Sequence, residues 1–288
     1  MSTLKNRFTP FDAALAAAFE ASIRLALQED VGSGDLTGLL VPDGKIVQAR
    51  VIVREDAVLC GAPWFEGVLK AVGVRTDVHW HYAEGDLMGA DTVVCSLSGP
   101  ARCLRTAERS ALNFLQMLSA VATATRRYVD VIAGTSAAIL DTRKTLPGLR
   151  LAQKYAVRVG GGQNQRLALY DGILIKENHI AAAGGISAAL LAASNLNSGA
   201  PVQIEVEDLA QMQEALEAGA SSILLDNFDL VTMRAAVKLN AGRALLEASG
   251  GVNLASVREI AETGVDRISI GSLTKDIRAT DYSMRVIS

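Results

Sequence analysis

From about residue 135 onward, short apolar runs alternate with amphipathic segments. The runs "AAILDT", "GILIKE", "PVQIEVE", "SSILLDN", "ALLEASGG" and "DRISIGS" are rich in β-branched residues and Leu, and each ends in polar residues. Between them, apolar positions at helical spacing predict helices near 148–158, 185–196, 208–219, 229–241 and 253–264. Strands that alternate with helices predict βαβ units and a parallel sheet. Apolar runs of this kind predict strands covered on both faces. The polar endings recur on nearly every strand, which favours a β/α barrel with its chemistry at the C-terminal strand ends. A doubly wound open sheet is the alternative, but it would gather the polar endings at one switch point.

The first hundred residues have a different texture. "QARVIVREDAVLCG" and "TDVHWHYAEGDLMGADTVVCSLSG" alternate β-branched and polar residues between turn residues, which predicts antiparallel strands. Helices are expected over 12–28 and 63–72. The stretch "ARCLRTAERSALNFLQMLSAVATATRRYVDVIA" contains neither Gly nor Pro, and Leu104, Ala107, Ala111, Leu112, Leu115 and Leu118 recur at helical spacing. It predicts one long helix or two abutting ones.

Composition narrows the function. The chain has 288 residues, 50% of them hydrophobic, and a net charge of −3. Such a charge argues against a general nucleic-acid surface, so any anion must meet a local cationic cluster. No run reaches the roughly eighteen apolar residues of a membrane span. The N-terminal "MSTLKNRFTPFDAALAAAFE" places Asp12 and Glu20 around its apolar patch, unlike a signal peptide. Cys60, Cys95 and Cys103 have no metal-ligand spacing, and reduced thiols in a cytoplasm are expected.

The strand endings carry the candidate chemistry. In order they read Asp141-Thr142-Arg143-Lys144, Lys176-Glu177, Glu205 and Glu207, Asp226-Asn227, Glu247 to Gly251, and Ser269 to Ser272, with Arg166 after "VGGGQNQ". The early endings are cationic, the middle ones acidic, and the last Gly/Ser-rich. Arg offers a planar fork to carboxylate or phosphate. Carboxylates can hold Mg²⁺ or sugar hydroxyls. The loops "ASGGVN" and "SIGSLT" offer backbone N–H groups to an anion. A lone Arg or Lys at a strand end is usually a solvated loop residue, but four together are not. Glu205, Glu207, Asp226 and Glu247 are expected inside strands, where an unpaired charge is costly, and so read as site residues. Asp208 reads as a helix N-cap. Asn178 and His179 read equally as caps or site groups. His79 and His81 share a strand face but have no third ligand nearby, so they read as surface residues.

The motifs "ALQEDVGSGDLT", "AERSALNFLQMLSAVATATRRYV", "ILDTRKTLPGLRLAQKYAVRVGGGQNQR", "ILIKENHIAAAGG", "IEVED", "ILLDN", "LLEASGGVNL" and "ISIGSLT" together resemble quinolinate phosphoribosyltransferase, also called nicotinate-nucleotide pyrophosphorylase (carboxylating). The resemblance runs from about residue 25 to the C-terminus. It implies a pentosyltransferase that forms nicotinate mononucleotide, CO₂ and pyrophosphate from quinolinate and phosphoribosyl pyrophosphate, with Mg²⁺. It implies an N-terminal α/β sandwich over 1–118, an incomplete β/α barrel over 119–275, and a C-terminal segment, 276–288, that packs back on the N-terminal domain. It also implies a cytoplasmic homodimer in which Arg109 of one subunit reaches the other's barrel mouth.

By the same resemblance, Arg143 and Arg166 hold the quinolinate carboxylates, and Lys144 and Lys176 meet the acid and the pyrophosphate. Glu205 and Asp226 face the ribose hydroxyls and Mg²⁺. Ser249, Gly250 and Gly271 cradle the 5′-phosphate. Lys144, Glu205 and Asp226 are the implied catalytic groups. The family often reads "GGGHNHR", whereas this chain has Gln163 and Gln165. Gln165 keeps the capacity to position a carboxylate but cannot become cationic. Three other functions compete with that activity: a phosphoribosyltransferase acting on nicotinate, a non-catalytic sugar-phosphate-binding barrel, and an aldolase-type barrel with Lys176 as a Schiff base. A molybdenum-associated paralogous group shares the fold; the intact "DTRKT", Arg166 and Lys176 favour the quinolinate enzyme.

Overall fold

The computed structural model describes residues 2–73 and 77–287. Thr76, the first residue of a predicted strand-rich stretch, lies outside them, as do Met1 and Ser288 at the limits of the predicted segments. The chain divides into two compact units. The first comprises residues 1–126, 145–161 and 274–288, and the second comprises 127–144 and 162–273.

In chain order the elements are α1 (Ala13–Asp30), β1 (Ile46–Val53), β2 (Ala57–Val58), α2 (Ala62–Ala71), β3 (Asp77–Trp80), β4 (Leu87–Met88), β5 (Val93–Pro100), α3 (Ala101–Val131) and β6 (Ala138–Leu140). There follow α4 (Arg150–Val159), β7 (Ile173–Ile175), α5 (Glu177–Ala183), α6 (Ile186–Asn195), β8 (Val202–Val206), α7 (Leu209–Glu217) and β9 (Ser222–Asp226). The chain continues through α8 (Leu230–Asn240), β10 (Leu245–Ser249), α9 (Val257–Ala261), β11 (Arg267–Ser269), α10 (Ser272–Lys275) and β12 (Tyr282–Val286).

The first unit holds an antiparallel sheet of order β12-β1-β5-β3 and a short β2-β4 pair. Period-two alternation builds it: Val47, Ala49, Val51 and Val53 of β1 are buried, while Ile46, Gln48 and Arg50 are exposed. The C-terminal strand β12 pairs with β1, setting Val51 opposite Met284. The Gly- and Pro-free stretch is a single helix, α3. Helix α4 belongs to this unit, where Phe8, Phe11, Phe19, Trp64 and Tyr155 form a ring cluster. Edge-to-face pairs of this kind add about 0.5–1.5 kcal/mol each beyond area burial.

Glu84 is a carboxyl group buried inside that unit. Glu84 accepts hydrogen bonds from Gly61 N (2.8 Å), Ala62 N (3.2 Å) and the Tyr155 hydroxyl (3.0 Å). Burial still outweighs these donors and pushes its pKa up to about 7. Cys60, Cys95 and Cys103 are free thiols, and burial raises the pKa of the first two. His79 is exposed on β3 and His81 just past its end, their rings 5.0 Å apart.

The second unit is a six-stranded, all-parallel sheet of order β6-β11-β10-β9-β8-β7. Strands β7 to β11 lie beside their sequence neighbours, and β6 returns to pair with β11. This cyclic order belongs to a β/α barrel and excludes the doubly wound alternative, whose order reverses at a switch point. The barrel is incomplete, because β6 and β7 are not paired with each other. At the β6 edge Gln163 forms a parallel bridge to Leu140. The expected helix at 253–264 is shorter, Val257–Ala261, because Asn253 first spends its side chain on a turn, accepting from Ala255 N and Ser256 N. Asp208 caps α7 as expected, accepting from Gln211 N at 2.8 Å, and Asp229 caps α8 in the same way.

The strands are covered on both faces as expected, but the two faces differ in chemistry. Ile204 and Val206, Ile223 and Leu225, and Leu246 and Ala248 are buried on alternate positions. The opposite faces carry Gln203 and Glu205, Leu224 and Asp226, and Glu247 and Ser249, and so are mostly polar. Gln203 Nε2 donates to Glu247 Oε2 at 2.9 Å although β9 separates their strands, so this polar face is the concave one.

Candidate active site

The loop after β6 begins with a carboxylate that orders its surroundings. Asp141 is fully buried and accepts from Asn164 Nδ2 at 2.6 Å and from Gln165 N at 2.9 Å. Backbone bonds from Gln163 N to Ile139 O and from Asp141 N to Gln163 O join the same two segments. Asp141 therefore ties "DTRK" to "QNQR" and brings Arg143 and Arg166 into one neighbourhood. Burial, and then the Arg143 charge, lower the pKa of Arg166, while Asp171 acts in the opposite sense. The Arg143 Nε is buried without a hydrogen-bond partner. Arg166 donates through Nη1 to Gly172 O at 2.9 Å. Two guanidinium groups that repel each other at the edge of a barrel are stabilised by a bound anion, most effectively one with more than one carboxylate.

Lys144 lies where the chain passes Gly271. A Cβ built on Gly271 would stand 3.0 Å from Lys144 Cδ and 3.6 Å from Thr142 Oγ1, so the bare glycine lets the lysine stem lie against the loop after β11. Lys176, at the end of β7, pairs with Glu205 of β8 at 2.7 Å. Lys176 N also donates to His179 Nδ1 at 3.0 Å, so His179 caps α5.

Asp226 ends β9, level with Ser249 of β10. Asn227 follows with φ +56° and donates from Nδ2 to Asp226 Oδ2 at 2.9 Å. Its backbone N donates to Ser249 O at 2.9 Å. Gly250 has φ +104°, and a Cβ there would collide with Asn227 Oδ1 and stand 2.8 Å from Asn227 Cγ. The position therefore demands glycine on two grounds, torsion and space. Glu205 and Asp226 are hard oxygen donors on neighbouring strands, which fits Mg²⁺ held largely by a substrate's phosphates. No cluster of three metal-ligating side chains occurs among the described residues.

The second unit thus brings Arg143, Lys144, Gln165, Arg166, Lys176, Glu205, Asp226, Ser249, Gly250 and Gly271 to the C-terminal strand ends and the loops that follow them. Arg109 is exposed on α3 in the first unit. One expectation is corrected. Glu207 was read inside a strand, but β8 ends at Val206 and Glu207 is exposed, because the Asp208 cap has already begun α7. The sequence places Asp141 among the strand endings but gives no sign of its ordering role, and it does not single out Gln203. The signal for Gln203 is a polar residue at an inward-facing position of an apolar strand.

Known proteins resemble this chain over most of its length. Residues 121–285 match the model of the quinolinate phosphoribosyl transferase C-terminal domain, and residues 35–119 match the N-terminal domain. A probable nicotinate-nucleotide pyrophosphorylase [carboxylating] of Bacillus subtilis is 39% identical over 90% of this chain and 90% of its own length. The nicotinate-nucleotide pyrophosphorylase [carboxylating] of Mycobacterium leprae is 41% identical over 91% of this chain and 95% of its own. The solved nicotinate-nucleotide pyrophosphorylase of Francisella tularensis superposes with a TM-score of 0.92 at 40% identity, covering 98% of this chain and all of its own. With both domains matched in order along one polypeptide, the chain belongs to the quinolinate phosphoribosyltransferase family.

Proposed function

We propose that the protein transfers the phosphoribosyl group of phosphoribosyl pyrophosphate to quinolinate with decarboxylation, yielding nicotinate mononucleotide, pyrophosphate and CO₂, a step of NAD biosynthesis. The observation that carries this reading is the pairing of Arg143 and Arg166 on the strand-end loops of an incomplete barrel. A pyridine dicarboxylate satisfies two forks where a monocarboxylate satisfies one.

The ring nitrogen attacks C1′, the C1′–oxygen bond breaks, and its electron pair leaves with pyrophosphate. C1′ gains oxocarbenium character, and the Glu205 and Asp226 carboxylates stabilise the developing positive charge. The quaternised ring then takes up the electron pair released as the 2-carboxylate departs as CO₂, and C2 accepts a proton. Arg143 and Arg166 orient the acid, so that much of the rate enhancement is positioning. Lys144, at the Gly271 loop, offsets charge on the pyrophosphate. Lys176 is bonded to Glu205 before substrate arrives, which holds both groups in place. Ser249, Gly250 and Gly271 supply small side chains and backbone N–H groups for the 5′-phosphate. Glu205 and Asp226 would hold Mg²⁺, which when bound neutralises charge on the diphosphate.

The assembly in this reading is a homodimer with Arg109 contributed across the interface. Two features support it. Arg109 is exposed. Leu36, Leu39 and Leu40 are 82%, 65% and 83% exposed, which suits burial against a second copy. In this reading the protein works in the cytoplasm, where its three cysteines stay as free thiols.

The direct test mixes purified protein with quinolinate, phosphoribosyl pyrophosphate and Mg²⁺ and measures CO₂ and nicotinate mononucleotide. Supplying nicotinate instead is expected to give negligible turnover. Equal turnover on nicotinate would overturn the two-carboxylate reading. Isothermal calorimetry on Arg143→Ala is expected to show loss of quinolinate binding, and near-native affinity would overturn the assignment of Arg143.

A further inference from the structure

The concave face of the barrel holds a row of hydrogen bonds that ends on Arg166. Arg166 N donates to Gln165 Oε1 at 2.6 Å. Gln165 Nε2 donates to Gln203 Oε1 at 2.8 Å, and Gln203 Nε2 donates to Glu247 Oε2 at 2.9 Å. Gln203 is 7% exposed and Glu247 only 1% exposed, so the row runs through the interior.

The direction of the row is fixed by its two ends. A backbone N–H can only donate, so it must meet the oxygen of the Gln165 amide. That turns the Gln165 NH₂ toward Gln203, whose oxygen must face it. The Gln203 NH₂ is then left toward Glu247, and a carboxylate can only accept. Neither amide can flip without setting two donors or two acceptors against each other.

The row has a consequence for the acid-binding pair. Gln165 is held at its own N–H by Asp141 and at its side chain by Gln203. Arg166 is held at its N–H by Gln165 and at its guanidinium by Gly172 O. This matters because the Arg143 charge opposes that of Arg166, and these bonds hold Arg166 in place against the repulsion. A core selected for stability alone would place apolar side chains at 203 and 247, since Glu247 Oε1 is buried with no partner.

We infer that Gln203 and Glu247 are positioning residues for the acid-binding pocket, acting through Gln165 to fix the backbone of Arg166. The inference rests on the assignment of Arg166 to the quinolinate carboxylates. It also accounts for a glutamine at 165, a neutral group that both accepts from Arg166 N and donates to Gln203.

The test is steady-state kinetics with both substrates varied. Gln203→Glu keeps the size of residue 203 but replaces the donor facing Glu247 with an acceptor. The KM for quinolinate is expected to rise about tenfold, while the KM for phosphoribosyl pyrophosphate stays within about twofold. The double variant Gln203→Glu with Glu247→Gln restores every bond, because the carboxylate at 203 then accepts from both amides. Its KM for quinolinate is expected to return to within about threefold of the wild type. Should Gln203→Glu fail to fold, Gln203→Met removes the row without adding charge, and the same selective rise is expected. Equal changes in both KM values, no change in either, or no recovery in the double variant would overturn the inference. Arg166→Ala separates this from the underlying assignment. If Arg166→Ala raises the quinolinate KM and the Gln203 variants do not, the row alone is refuted. If Arg166→Ala has no effect, the assignment fails and the inference with it.

Discussion

Gly250→Ala tests the phosphate loop most sharply, because its cost can be worked from the coordinates. At φ +104° an alanine is strained by about 1–2 kcal/mol. Its Cβ would also collide with Asn227 Oδ1 and lie 3.1 Å from Asn227 N. The side chain of Asn227 must rotate away, breaking its 2.9 Å bond to Asp226 at a further cost of about 1 kcal/mol. The backbone N of Asn227 is tied to Ser249 O and cannot follow freely. The expected loss is about 2–3 kcal/mol, read from urea denaturation as a shift in midpoint at constant slope.

Gly251→Ala is the internal control. It shares a positive φ, +61°, but a Cβ there meets nothing within 4 Å, so only the torsional cost remains. The crowding is therefore worth about 1 kcal/mol more at 250 than at 251. In the coupled assay, Gly250→Ala is expected to raise the KM for phosphoribosyl pyrophosphate and to leave that for quinolinate little changed. Equal destabilisation by the two variants, together with an unchanged KM for phosphoribosyl pyrophosphate, would refute the argument from the Asn227 contact.

Three further outcomes follow from the geometry. Glu84 has a folded pKa of about 7 against an ordinary 4.5, so the folded state holds an extra proton between these values and stability falls as pH rises through that window. The loss is about 3 kcal/mol, and it should be absent in Glu84→Gln when urea midpoints at pH 5 and pH 8 are compared; parallel pH trends in the two proteins would contradict it. Lys144→Ala is expected to lower kcat beyond any change in KM, and an unchanged kcat would remove Lys144 from the chemistry. In the proposed homodimer, mixing inactive Arg109→Ala and Arg143→Ala subunits should restore about a quarter of wild-type activity, because half of the dimers would carry one intact site; no recovery would refute the contribution of Arg109 across the interface.

Period and punctuation alone located the six barrel strands, since each is a short apolar run bounded by turn or cap residues. The long α3 was legible for the same reason, as more than two dozen residues without a breaker. The site loops were legible because charge and glycine at successive strand ends have no local purpose. Other features were not. Asp141 stands at the head of a cationic motif, yet it is buried and orders the Arg-bearing segments through bonds to residues 164 and 165. Helix α4 has a clear apolar pattern, but no pattern states which unit it will join.

The sequence by itself determined the element types, the parallel orientation of the barrel strands and the chemical classes of the site, because these depend on spacing along the chain and on side-chain identity. Only the tertiary structure decided which polar strand residues meet. Gln203 and Glu247 are 44 residues apart, on strands that are not neighbours. Curvature of the sheet, a property of the closed packing rather than of any segment, brings them together and aligns them with Gln165 and Arg166.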